Sequence, residues 1–329
     1  MKGNIEQAIA SFLSRWASPE EAARILDGYA TVLEPTFRLN PFSPTSEEAI
    51  AELERDGFSV APLDESRNPT ASDGMIAAPS GGTIAAPMPQ LFTVPAAERS
   101  RLTRHAAVDR GDIYLQNPAS MWVAAALDVQ PHMQVLDFCA APGSKTLGLA
   151  AAMRPLQTST AQRGDAPETS FAGELVAMEV VRNRFFKLRA NLGRLGITGV
   201  RVLHQDGRNA PRYRPAYFDR ILLDAPCSSE GRIRWDTPES YQYWSPKKHQ
   251  EMQRKQRQLL DAALQCLKPG GSLVYATCAL NPFENADVVS SVLATHDDVT
   301  CGAWTRTWPD AYCQGFSWIT LRRADELGR

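Results

Sequence analysis

The sequence predicts a doubly wound, mostly parallel α/β domain preceded by a smaller module, and three observations carry that reading. From about residue 112 short apolar runs alternate with stretches of helical periodicity, the pattern that strand–helix–strand crossovers produce. Two of the runs, Ile221-Leu222-Leu223 and Ser272-Leu273-Val274-Tyr275, are short, apolar and bounded by turn residues, as buried parallel strands are. Ahead of them, residues 1–105 carry two helical stretches and a strand–helix–strand pattern of their own.

IEQAIASFLSRWA and PEEAARILDGYATVL space their apolar residues as helices do, and Pro19 suits the first turn of the second. PTFRLNPF reads as a short strand. SPTSEEAIAELERDGF reads as a helix with Thr45 or Ser46 as its cap and an acidic first turn. FSVAPL is a further strand. Residues 64–90, rich in Pro, Gly, Ser and Ala, read as a linker or long loop. Residues 1–105 thus form an N-terminal helical and small α/β module, and residues 106–329 the main domain.

In the main domain ASMWVAAALDV is a helix, MQVLDFC the first strand and KTLGLAAAM the helix after it. Residues 154–172 are polar, contain Pro and Gly, and read as a flexible insertion. ELVAMEV is the second strand, and RNRFFKLRANLGRLG its helix, ended by Gly196. VRVLHQD and FDRILLDAPC are the third and fourth strands. The helix HQEMQRKQRQLLDAALQCL stops at Pro269-Gly270-Gly271, GSLVYATC is the fifth strand, NPFENADVVSSVLATH a helix and FSWITLRR a late strand.

Composition excludes several classes. The 329 residues carry a net charge of −2 and 43% hydrophobic residues, ordinary for a globular protein. No apolar run approaches the ~18 residues needed to span a bilayer, and the charged start has no signal-peptide core. The six cysteines include no C-x-x-C pair, which fits free thiols in a reducing cytoplasm. The five histidines are scattered, so no metal site is expected. A monomer is the expectation. The charge is uneven: residues 1–100 hold 7 basic and 14 acidic residues, residues 179–260 hold 17 and 8. A basic stretch is an electrostatic footprint for a polyanion, or else a solvated helix face.

Ligands of open α/β sheets bind at the carboxyl ends of the strands. Cys227 and Cys278 follow the two apolar runs, so both thiols are expected at that edge, where a pair suggests covalent chemistry. After the first strand comes Asp137-Phe138-Cys139-Ala140-Ala141-Pro142-Gly143-Ser144-Lys145-Thr146, a small-residue turn that lets a ligand approach the backbone and a helix N-terminus. A P-loop requires G-x-x-x-x-G-K-[ST], but Ser144 separates Gly143 from Lys145, and G-x-G-x-x-G is absent. Acids recur at successive strand ends, namely Glu179, Asp206 and Asp224. Each alone could cap a helix. Together, beside a glycine turn, they point to an adenosine-containing cofactor, of which S-adenosylmethionine fits best, with Glu179 on the ribose and Asp206 on the adenine amino group.

LDFCAAPGSKT, LDAPCSSEG and VYATCALNPFEN resemble three motifs of the Sun family of RNA cytosine-C5 methyltransferases. The family forms are close to D-x-C-A-A-P-G-G-K-T, D-A-P-C-S-G and Y-S-T-C-S-x-x-x-x-E-N. The resemblance covers about residues 112–323, and PTFRLNPFSPTSEEAIAELERDGF is similar to the family's small RNA-binding region. Ser144 and Ser229 stand where the family has glycine, and Ala276 and Ala279 where it has serine. The resemblance implies a seven-stranded Rossmann-like methyltransferase sheet, S-adenosylmethionine held by residues 139–145 with Glu179, Asp206 and Asp224, and an RNA substrate. It assigns the nucleophile that attacks carbon 6 of cytosine to Cys278, assistance of release to Cys227, and the N3 edge of the base to Asp224. Lys145 or a helix N-terminus could lower the thiol pKa.

Arg232, Arg234, Trp235, Tyr241, Tyr243 and Trp244 interleave charge and aromatics, as a surface that stacks single-stranded bases does. Alternatively Trp235 and Trp244 pack the connector onto the core. The resemblance implies ribosomal RNA of the small subunit as the expected substrate, because no added tRNA-reading module is expected in this chain; transfer RNA is the alternative. A methylase of DNA or of a small molecule and a catalytically idle RNA-binding assembly factor are the other readings. The second thiol motif speaks against a DNA methylase, and retention of both thiols with Asp224 against the idle factor.

Overall fold

The computed structural model describes residues 2–63, 90–154, 171–325 and 327. The expected linker 64–90 and insertion 154–172 lie, apart from their end residues, outside the described residues. Among the described residues there are two sheets. The larger holds eight strands, seven of them in one path and β11 (Thr305–Thr307) paired to the side of β12 (Phe316–Arg323). In that path β5 (Gln134–Asp137), β6 (Glu174–Met178), β7 (Val200–Leu203), β8 (Phe218–Asp224) and β9 (Leu267–Thr277) run parallel in the order β9-β8-β5-β6-β7. β12 adds antiparallel to β9, and β10 (Val299–Cys301) to β12. The carboxyl ends of β8 and β9 therefore lie side by side with that of β5 beyond them.

The strand interior is apolar on both faces, as a sheet covered twice requires. Val135, Leu175, Leu222 and Val274 face one core, with α7 (Ser144–Met153) and α8 (Arg182–Arg194) supplying Leu147, Leu188 and Leu192. Leu136, Val176, Ile221 and Leu273 face the other, against Leu260 and Ala263 of α9 (Pro246–Cys266) and Val288 of α10 (Ala286–Leu293). Each such aliphatic side chain withdrawn from water contributes about 1.5–3 kcal/mol.

Two local expectations are corrected. Helix α9 ends at Cys266, three residues before Pro269, and β9 already starts at Leu267. Phe218 pairs with Leu267 but Arg220 with Ser272, so Pro269-Gly270-Gly271 form a bulge in β9, with Gly270 at φ 76°. Neither Thr45 nor Ser46 caps a helix by its side chain. Thr45 precedes a 3-10 turn, and its hydroxyl donates instead to Asp112 at 2.7 Å. α8 ends as expected, with Gly196 at φ 71°.

The smaller sheet has the order β2-β3-β1-β4, from β2 (Ala61–Pro62), β3 (Leu91–Thr93), β1 (Thr36–Leu39) and β4 (Ile113–Leu115), all antiparallel. It packs on Leu53 of α3 (Ala49–Arg55) and on Leu102. One strand and two helices pack across the expected boundary at residue 105. β4 lies beyond that point yet completes this sheet. Helices α1 (Lys2–Leu13) and α2 (Pro19–Ala30) pack not on it but on the main domain, where Ile9, Phe12, Ile25 and Tyr29 join Ile233, Tyr241, Trp244 and Leu280. Ser18 caps α2 in a reciprocal capping box with Glu21, with Pro19 in its first turn.

Candidate active site

The turn after β5 is held from three sides. Gly143 takes φ 106° as the cap of α7, and a Cβ there would stand 3.1 Å from Leu188, so glycine is needed both for the conformation and for the approach to α8. From α8, Arg184 donates to the Ala141 carbonyl at 2.7 Å and Asn191 to that of Pro142 at 2.8 Å. From beyond β4, Gln116 donates to the carbonyl and hydroxyl of Ser144, both at 3.1 Å. Thr146 donates to Asp137 Oδ2 at 2.6 Å. Burial pushes the Asp137 carboxyl up to about 7, and its Oδ1 has no partner. Burial likewise pushes the Cys139 thiol up, which makes it a part of the turn rather than a reactive group.

Three acids stand at three strand ends, in unlike states. Glu179 is 3% exposed; its Oε1 accepts the Val181 N–H at 2.8 Å. Its Oε2 has no hydrogen bond, although Arg184 Nη1 is 3.5 Å away. A buried carboxylate oxygen without a donor, beside an open small-residue turn, fits a ribose hydroxyl pair. Asp206 caps the 3-10 turn after β7 through the Arg208 N–H at 3.0 Å, and its carboxylate is gripped by the Arg208 guanidinium, which holds it below the usual carboxylate range. It is thus engaged as a helix cap. Asp224, at the end of β8, receives Lys145 Nζ at 2.5 Å. Lys145 itself is buried, with its ammonium 4.8 Å from the centre of the Phe316 ring.

The two thiols meet. Cys227 Sγ and Cys278 Sγ are 3.0 Å apart, and both cysteines are free. Cys278 is 9% exposed and Cys227 partly exposed. The hydrogen bond between them is the main influence on both: it lowers the Cys278 pKa and raises that of Cys227, which burial raises further. Burial opposes the lowering at Cys278, and the Arg232 guanidinium assists it. Lys145, the expected cation, is instead spent on Asp224.

A buried polar network that the sequence reading missed joins the loops bearing the thiols. Glu284 Oε2 accepts the Ser228 N–H at 2.9 Å and Gln256 Nε2 at 3.0 Å, while its Oε1 takes His249 Nδ1 at 2.7 Å. Glu230 Oε2 accepts the N–H groups of Leu280 and Asn281, both at 3.2 Å. The carbonyl of Cys278 accepts the Gly231 N–H at 2.8 Å. Glu284 is readable as the acid of the second thiol motif. Gln116, Arg184 and His249 have no such signal, because only the tertiary fold brings them to the site.

Of the interleaved residues after the first thiol, Arg234, Tyr241 and Trp244 are buried, and Trp235 packs partly buried beside Tyr29. Arg234 is spent on backbone carbonyls, among them those of Gly28 at 2.5 Å and Asp310 at 3.0 Å. The packing alternative thus describes these four, leaving Tyr243, 76% exposed, and Arg232 at the surface. Among the described residues, Glu52, Asp56 and His105 form the one group with metal-ligand geometry. His105 Nε2 donates to Asp56 at 2.9 Å while Nδ1 accepts the Ala107 N–H, and Glu52 pairs with Arg110. No helix of the described residues is long and apolar enough to cross a membrane.

A run of five parallel strands in this order, a glycine turn after its first strand and a buried acid after its second are the arrangement of a Rossmann-like methyltransferase fold. The family profile described as 16S rRNA methyltransferase RsmB/F matches residues 124–312, and the chain belongs to that family. The ribosomal RNA small subunit methyltransferase F of Escherichia coli O139:H28 is 36% identical over 237 residues, 66% of this chain and 46% of that protein. Its counterpart in Shigella boydii serotype 18 matches equally. The chain spans about half the length of the curated relatives it matches. A methyltransferase homolog protein from Pyrococcus horikoshii is 28% identical with a TM-score of 0.66, covering 92% of this chain and 91% of that one. NSun6 from the same organism, solved with SFG, shares the fold at 22% identity and a TM-score of 0.72, covering 97% and 98%.

Proposed function

We propose that this protein methylates carbon 5 of a cytosine in RNA through a covalent bond between Cys278 and carbon 6, with small-subunit ribosomal RNA as substrate. The observation that carries this reading is the 3.0 Å approach of two thiols, one lowered and one raised, beside the Asp224–Lys145 pair.

The residues around the turn suit S-adenosylmethionine, with residues 139–145 against the methionine end and Glu179 on the ribose; Asp206 joins only by giving up Arg208. When bound, the cofactor supplies an electrophilic methyl group to a nucleophilic carbon. Carbon 5 of cytosine is not nucleophilic until the ring loses aromaticity. The Cys278 thiolate forms a bond to carbon 6, and the ring electrons move toward N3. Asp224 faces that edge, and the Lys145 ammonium on its Oδ2 offsets the negative charge that builds there. After methylation the proton on carbon 5 passes to a water on the Cys227 side, its bonding pair restores the carbon 5–carbon 6 double bond, and the carbon 6–sulfur bond breaks with its pair on sulfur, so Cys278 returns as thiolate. The base must leave its stack to reach a sulfur only 9% exposed.

The test uses two variants. Cys278→Ala is expected to lose methyl transfer to RNA while still binding S-adenosylmethionine, and Cys227→Ala to accumulate a covalent protein–RNA species on a denaturing gel. Normal turnover by Cys278→Ala would refute the nucleophile. Bisulfite sequencing of RNA from cells lacking the gene distinguishes a ribosomal from a transfer RNA target.

A further inference from the structure

The family glycine after the first thiol is Ser229 in this chain, and its backbone keeps a glycine conformation, φ 66° and ψ 29°. A serine is strained in that left-handed region. The strain is held by the turn around it. Arg232 N–H bonds the Ser229 carbonyl at 3.0 Å, and Gly231 N–H bonds the carbonyl of Cys278 at 2.8 Å. The same turn therefore fixes both Ser229 and the backbone of Cys278. The Ser229 hydroxyl oxygen lies 3.6 Å from Cys278 Sγ, a sulfur that also meets Cys227 Sγ at 3.0 Å.

We infer that Ser229 is a positioning residue for Cys278, donating its hydroxyl to the sulfur when that sulfur is a thiolate and holding it aimed into the crevice. This rests on the proposed role of Cys278 as nucleophile. A thiolate accepts where a thiol donates, so a hydroxyl on it favours the charged form; the contact with Ser229 acts in that direction. The groups facing Cys278 are Cys227 and Asp224 from the β8 side and Arg232 from the 3-10 turn, Asp224 opposing the charge and the others favouring it. A glycine at 229 has no hydroxyl, so this chain carries a sulfur partner that the glycine form lacks.

The experiment measures iodoacetamide alkylation of Cys278 against pH, resolved by peptide mass spectrometry, in the full chain and in Ser229→Gly and Ser229→Ala. Glycine relieves the backbone strain and alanine keeps it; both remove the hydroxyl. The expected result is that both variants move the alkylation midpoint of Cys278 upward by about 0.5 to 1 pH unit, an approximately 3- to 10-fold slowing at neutral pH. An unmoved midpoint in Ser229→Ala overturns the inference, and a shift in the glycine variant alone would assign the effect to backbone geometry. Alkylation needs no RNA, so this result stands apart from the methyl-transfer assay of Cys278→Ala, whose failure would remove the nucleophile and leave the hydroxyl–sulfur contact testable.

Discussion

Cys227 Sγ lies 3.0 Å from Cys278 Sγ, within hydrogen-bond reach, so that a proton on Cys227 can be shared with a Cys278 thiolate. The hydrogen bond lowers Cys278 and raises Cys227, so thiolate gathers on the sulfur proposed as nucleophile. A lowered pKa means that Cys278 ionises at a lower pH than it would without its neighbours. Cys227→Ala removes the largest lowering influence. Its Cys278 thiolate, followed by ultraviolet absorbance with Cys278→Ala as the blank, is expected to appear about 1 pH unit or more higher than in the parent. A midpoint unmoved or shifted to acid would contradict the shared proton.

What the sequence made legible was local or periodic. Short continuous apolar runs such as LVAM and ILL placed the parallel strands, and the strand-end positions of Cys227, Cys278, Glu179 and Asp224 put them at one edge. What it hid depends on partners distant in the chain. Pro269-Gly270-Gly271 carries the signature of a helix stop, yet the strand pairing absorbs it as a bulge. Thr45 reads as a cap until Asp112, 67 residues on, takes its hydroxyl. Lys145 reads as a cation for the thiols until Asp224 claims it, and Arg232 takes that part. Helices α1 and α2 precede the small sheet in sequence, but the apolar surface they need belongs to the connector after Cys227.

Glu179 and Asp206, alike in sequence, are expected to behave unlike each other. The Glu179 carboxylate is buried with one oxygen lacking a hydrogen bond, while that of Asp206 is occupied by Arg208. Glu179→Ala should raise the Kd for S-adenosylmethionine about 10- to 100-fold, the worth of one hydrogen bond to a charged group. Asp206→Ala should raise it only about 2- to 5-fold, on the same scale. Isothermal titration calorimetry decides; equal effects would remove the distinction drawn from Arg208.

Tyr243 and Trp244 are neighbours with opposite exposure. Trp244 packs edge-on against Phe12 at 5.6 Å between ring centres, so its replacement by alanine opens a cavity where α1 meets the main domain. That substitution should cost about 3–5 kcal/mol in urea unfolding. Tyr243→Ala should leave stability within about 0.5 kcal/mol but weaken binding of single-stranded RNA by ~1–3 kcal/mol if a base stacks on it. Filter binding at fixed salt reads the second effect, and unchanged affinity would leave the surface aromatic without a part in RNA recognition.

His249 joins the network beneath both thiols to the first helix. Its ring stacks on Phe12 at 4.3 Å, donates from Nδ1 to Glu284, and sets Nε2 3.3 Å from Glu230 Oε1, close but outside hydrogen-bond alignment. Burial pushes the Glu284 carboxyl up, but hydrogen bonds from His249, Ser228 and Asn281 outweigh it and hold the group below its usual range. At Glu230 burial wins and the carboxyl is raised. His249→Ala leaves Glu284 buried without its ring donor, and removing one member of a buried pair costs about 3–5 kcal/mol. Glu284 also accepts the Ser228 N–H, next to Cys227, and shares Asn281 with Glu230. The same substitution should therefore loosen the two thiols from each other, and methyl transfer should fall further than affinity for S-adenosylmethionine. An unfolding free energy within about 1 kcal/mol of the parent, or equal losses of cofactor binding and turnover, would show that the network does not hold the sulfurs in register.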